Sequence, residues 1–299
     1  MADIQTTVAR ELKVPPTRPE YLCDVVASGD IGVVQKPLTL WERLVNQAWL
    51  RKLFILVVIA TAWQLYALQL NNPLLVPTFT ATIEAFWTAM MNGDLPQKVA
   101  NSVLLLLKGY AIGLALAMLF TALAMMSKLG NDLLETLTSA FNPLPAIALL
   151  PLALIWFGLG EISIIFVLVH SVLWAVALNT HSGFRSVSNT LRMVGRNYGL
   201  RGPRYIAKIL IPAAFPSILT GLKIGWAFAW RTLMAAELVF GVSSGKGGLG
   251  WYIYENKNML DIPAVFAGLL TVILIGLIVE NFIFRNIEAV TVRRWGMQS

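Results

Sequence analysis

The chain has 299 residues, 57% of them hydrophobic and 13% charged. Soluble domains run at about 45–50% apolar and about 25% charged, so a water-soluble globule is excluded and an integral membrane protein is indicated. The net charge of +7 is not a nucleic-acid signature, because the basic residues gather in loops and tails beside apolar segments.

Residues 1–40 are polar and broken by Pro15, Pro16, Pro19 and Pro37. They are expected to form a loosely ordered cytoplasmic extension, with a regulatory or partner-binding tail as the alternative. The lone cysteine, Cys23, excludes an intrachain disulfide. A short amphipathic helix fits 40–50. The first 30 residues contain no apolar core of signal-peptide type, so the first span is expected to be its own insertion signal.

A bilayer span needs about 20 apolar residues. Six stretches qualify: 53–70, 103–126, 141–158, 162–178, 217–239 and 265–284. The connection 71–102 is amphipathic, with a short helix expected over 82–91, and 127–138 and 241–261 read as polar connections. In the second span Gly109 and Gly113 have the spacing that lets helices approach closely, and Lys108 is expected to snorkel to the interface. The third carries Pro143, Pro145 and Pro151, which suit a helix buried against others or lining a cavity. The fold class is therefore all-α: a polytopic membrane protein with about six spans in one domain, 41–299. Lys and Arg gather before the first span, between the fourth and fifth, and in the tail (Arg285, Arg293, Arg294). An even number of spans places all three on one side, so both termini are expected inside.

The stretch 179–212 carries Arg185, Arg192, Arg196, Arg201, Arg204 and Lys208 and no acidic residue. At about 100° per residue, Val187, Leu191, Val194 and Tyr198 share one face and Arg185, Arg192 and Arg196 the other. That pattern predicts a short amphipathic helix with an apolar side for packing and a cationic side. Gly199 and the Gly202–Pro203 pair punctuate it. It is either a loop that obeys the positive-inside rule or a docking element for a soluble partner.

No catalytic or metal-binding set is visible; His170 and His181 are not spaced as ligands. The run 241–247, GVSSGKG, resembles a phosphate loop but fails, because its glycines stand one residue too close and a glycine replaces the Ser/Thr that would hold Mg²⁺. No nucleotide is expected on this chain. Arg231 and Glu237 lie inside the fifth span, where a charge costs about 2.5–3.5 kcal/mol. Six residues apart on one helix, they are poor partners for each other. Each either pairs with a neighbouring helix or sits near an interface, or Arg231 offers positive potential to an anion in a translocation path. Glu237, His170, Trp174 and Trp230 are candidates for the same path, with packing as the alternative role of the last three.

The basic stretch resembles the cytoplasmic loop of permease subunits of bacterial ABC importers, E-A-A, three residues, Gly, nine residues, then I-x-L-P. Gly199, Ile209 and Pro212 stand at the matching spacing, with Ile211 for Leu; the E-A-A positions hold Met193, Val194 and Gly195, so the acidic residue is missing. The segments 151–161, 179–187, 212–223, 235–238 and 247–251 are similar to the branch that moves nitrate, sulfonates, taurine and bicarbonate. The resemblance covers roughly 50–299. It implies a multi-pass bacterial inner-membrane subunit, paired as a homodimer around one pathway in lipid. It also implies cytoplasmic ATPase subunits that hold ATP and Mg²⁺, and an external solute-binding protein. The coupling residues it implies are Arg185, Arg192, Val194, Gly195, Arg196, Tyr198, Gly199, Leu200 and Pro212. A secondary carrier or channel working without an ATPase is the alternative, but it would be expected to show inverted repeats or a carboxylate relay.

Overall fold

The computed structural model describes residues 47–240 and 247–293. The expected extension over 1–40, Cys23, most of the helix expected over 40–50, all but the last glycine of 241–247, and Arg294 lie outside these residues. The chain divides into two compact units, Met1–Val57 and Val58–Ser299. The described part of the first, 47–57, supplies the opening turns of α1 (Ala48–Leu70).

In the second unit α1 ends at a linker to α2 (Phe79–Met91), which Thr78 caps by accepting from the Ala81 amide at 3.2 Å. The Trp63 indole donates to the Pro77 carbonyl at 3.0 Å and packs edge-on against Phe79. Next comes α3 (Asp94–Met126), nine residues longer at its start than 103–126, because Gly93 turns the chain at φ +77° directly after α2. The expected polar connection after it is instead α4 (Lys128–Phe141), started by Ser127, which accepts from the Gly130 amide. Leu134 and Thr138, one turn apart, are buried on its inner face.

The stretch 141–158 is not one continuous span. The chain bends by 89° between α4 and the helical segment Ala146–Phe157, whose regular part is α5 (Leu150–Phe157). Pro143 and Pro145 fall in the bend, where their missing amides interrupt no helix, and Pro151 sits in the first turn of α5. Among the described residues five helices are long and apolar enough to cross a membrane, and the bent pair makes up to six.

The most enclosed long helix is α6 (Glu161–Ser186). Against α3, a Cβ on Gly109 would lie 2.6 Å from Leu168 Cβ, and one on Gly113 2.7 Å from Val172 Cβ. Only glycine admits this approach, as expected from the spacing. Both pairs step forward together along the sequence, so α3 and α6 run parallel. The bent pair must therefore return the chain across the layer between them. Against α8 (Ile211–Phe240) the order reverses: Ser217 meets Gly183, Asn179 meets Gly221, and Val176 meets Gly225. Pro212 cannot donate to the Lys208 carbonyl, and a widened turn, Ile206–Leu210, stands just before it.

The connection after α8 holds a helix not expected from the sequence, α9 (Leu249–Asn258). Last comes α10 (Ile262–Ile278), whose helical path continues to Val292. Phe284 and Val292 cluster with Leu219 of α8, and Lys223 pairs with Glu288 at 2.7 Å. The basic stretch 179–212 and the Arg285 region thus share one end of this unit. Lys108 meets Glu161 at the other end, 2.7 Å away, and so has an ion-pair partner rather than only an interface to reach.

Candidate solute pathway and docking helix

A cavity of about 370 Å³ opens between α6, α8 and the bend at 142–147. Three of the five candidate pathway residues, His170, Trp174 and Arg231, line it. His170 and Trp174 are one turn apart on α6, and Arg231 comes from the facing stretch of α8, where the Thr232 and Ser171 hydroxyls meet at 3.0 Å. The Arg231 guanidinium lies 5.7 Å from the Phe228 ring centroid and has no carboxylate within 4.0 Å among the described residues. No Asp or Glu lines the cavity among the described residues. Phe141 stacks on Trp174 at 5.4 Å with an 11° tilt, and His170 stands edge-on to both rings. The Trp174 indole N–H and both His170 ring nitrogens are buried without a hydrogen-bond partner among the described residues. Buried indole N–H groups usually find an acceptor, so this wall presents a donor without its counterpart.

The other two candidates lie elsewhere. Trp230 is 7% exposed in the main core and does not line the cavity. Glu237, 3% exposed, is held where α8 meets the start of α9. Ser102 Oγ donates to its carboxylate from 2.8 Å, and the Gly250 amide donates to Oε2 at 2.7 Å. Ser102 in turn accepts from the Leu249 amide at 2.7 Å. The carboxylate and Ser102 thus take the Gly250 and Leu249 amides, two of those left unpaired at the start of α9. As expected, it does not pair with Arg231. Ser102 gave no signal in the sequence; it is a small hydroxyl in an apolar helix, and only the fold brings it to Glu237.

At that same end Tyr252 of α9 is buried, with Gly268 of α10 against its ring, and burial, with Asp94 and Asp261 adding to it, pushes its phenol up to about 12.

The basic stretch forms α7 (Asn189–Asn197), started by Ser188. Its packing differs from expectation. Val187 is buried, but Leu191, Val194 and Tyr198 face outward, with Tyr198 82% exposed. The inner face is Arg192 and Gly195 instead. Arg192 donates to the Val187 carbonyl at 3.1 Å and to the Phe184 carbonyl at 2.6 Å, which caps the end of α6. A Cβ on Gly195 would lie 2.9 Å from Tyr205 and from Ile209, so glycine lets α7 sit directly on the entry to α8. Steric room, not hydrophobicity, selects the buried side. Gly199 turns the chain at φ +70°, and the Leu200 amide closes the helix on the Gly195 carbonyl at 3.1 Å. Arg185 pairs with Glu135 of α4, whereas Arg196 is exposed beside a cleft that it shares with Leu200 and Arg201. Pro212 is the second residue of α8.

The family described as the binding-protein-dependent transport system inner membrane component matches residues 109–289. A related chain of Methanocaldococcus jannaschii is 32% identical over 223 residues, 73% of this chain and 82% of its own length. The taurine transport system permease protein of Escherichia coli is 30% identical over 233 residues, 75% of this chain and 82% of that one. The nitrate import permease protein of Synechocystis is 33% identical over 172 residues, 58% of this chain and 60% of that one.

Proposed function

The chain belongs to the binding-protein-dependent inner-membrane components, the transmembrane subunits of ATP-driven ABC importers, and on that premise we propose that it conducts a small anion through the cavity at Arg231, driven by ATPase subunits that dock on α7. The observation that carries this reading is the mounting of α7. Its apolar edge, Leu191, Val194 and Tyr198, is uncovered, while its other side is tied to both helices that wall the cavity. Arg192 ties it to α6, which carries His170 and Trp174; Gly195 seats it on the entry to α8, which carries Arg231.

A partner that pulls on the uncovered edge therefore moves α6 and α8 together. Packed helices shift as bodies, so displacement at α7 becomes a change in the cavity walls. ATP and Mg²⁺ sit on the partner subunits, and this chain hydrolyses nothing itself. The end with α7 faces the cytoplasm, following the positive-inside rule, and an external binding protein delivers solute to the opposite end. Two copies of the chain enclose the path within lipid, and no nucleic acid takes part. Among the described residues no acid lines the cavity, Arg231 has no carboxylate within 4.0 Å and the Trp174 N–H has no acceptor, which together favour an anion. That polarity agrees with the nitrate relative.

The test is co-purification with the cognate ATPase subunit. Tyr198→Asp and Leu191→Asp together are expected to abolish capture while leaving the chain folded in the membrane. Capture at the wild-type level by that double variant would rule out α7 as the docking element.

A further inference from the structure

We infer that the solute taken by the Arg231 cavity is an aromatic sulfonate or carboxylate, not an inorganic oxyanion or a zwitterion. This inference rests on reading the cavity as the solute path.

Three features select that class. The first is size. The cavity holds about 370 Å³, within the range of sites for small organic ligands. Water occupies about 30 Å³ per molecule, so an ion of a few atoms would leave most of the space to solvent against apolar walls. The second is the wall itself. Phe141, Trp174 and His170 form one aromatic group with centroid spacings of 5.4 to 6.2 Å, and Phe228 adds a further ring beside Arg231. A flat apolar body extends such a group in the offset or edge-on geometry that rings favour. The third is charge. Arg231 supplies one cation and no lining residue among those described supplies an anion, so the ammonium of a zwitterion would meet Arg231 without a counter-ion. The Trp174 N–H, without a partner among the described residues, is a donor only and calls for an acceptor oxygen beside the ring.

The experiment is calorimetric titration of the full chain in lipid nanodiscs with benzenesulfonate, taurine and nitrate. Benzenesulfonate is expected to bind at least about tenfold more tightly than either of the others. Trp174→Phe, which keeps a ring and removes the N–H, should weaken benzenesulfonate about three- to tenfold and leave nitrate nearly unchanged. Arg231→Gln should weaken all three. Equal affinity for nitrate and benzenesulfonate, with Arg231→Gln still weakening both, would overturn the aromatic class and keep the cavity as the path. Benzenesulfonate binding that ignores Arg231→Gln, or no binding of any probe, would overturn the cavity reading itself.

Discussion

Arg231 and Glu237 stand six residues apart on α8, and their surroundings are opposite. Glu237 is buried, and Ser102 and the Gly250 amide donate to it from 2.7 to 2.8 Å. Arg231 borders an open cavity, has the Phe228 ring as its one charge contact among the described residues, and shares that cavity with a Trp174 donor that has no acceptor among them. A membrane-embedded charge with all its bonds made is an anchor; one with its bonds unmade, facing space, is held for something that arrives. The same contrast separates Arg192, spent on the carbonyls that end α6, from Arg196, which is exposed.

Breaking the anchor should produce the largest effect. Glu237→Ala leaves the Gly250 amide and Ser102 without their acceptor and should cost about 3 kcal/mol or more, read as a large fall in thermal unfolding temperature. Glu237→Gln, which keeps an acceptor oxygen, should lose clearly less; equal losses would mean that the charge and not the bonding matters. Next, Arg231→Gln should weaken anion uptake by the equivalent of about 1.5–3 kcal/mol while the unfolding temperature stays put. A large fall in stability there would make Arg231 a second anchor and erase the contrast. Ser102→Ala removes one donor to Glu237 and the acceptor of the Leu249 amide, and thermal unfolding should report a loss of about 1–2 kcal/mol. The smallest effect is expected at Arg185→Ala. Its pair with Glu135 is exposed on both sides, and its loss should change stability by no more than about 0.5 kcal/mol.

Much of this architecture is legible in the residues because membrane helices announce themselves by length and apolarity. The cores of the spans at 53–70, 162–178 and 217–239 lie within helices, and Gly109 and Gly113 make the close approach that their spacing implies. Helix ends are less legible, since α3 begins at Asp94 in a polar stretch and α4 was hidden in what reads as a connection, although Ser127 is an ordinary capping residue there. The bend is written in Pro143 and Pro145, but its 89° angle is not. In the candidate site, His170, Trp174 and Arg231 could be proposed as single residues, but nothing local joins them: two come from α6 and one from α8, which the glycine contacts bring together. Periodicity misleads at α7 for a definite reason. A nine-residue helix has no deep core to bury, so the side that packs is the one with room, at Gly195, and the apolar edge is left outside.

If α7 is the coupling element, the chain moves solute only when something pulls on it. The most direct test is uptake into liposomes holding the chain, with and without its ATPase subunit and ATP, using the solute retained by the cognate binding protein. Uptake should appear only when subunit, ATP and an intact Leu191–Tyr198 edge are all present. Accumulation by the chain alone, without ATP, would contradict this account and establish a carrier.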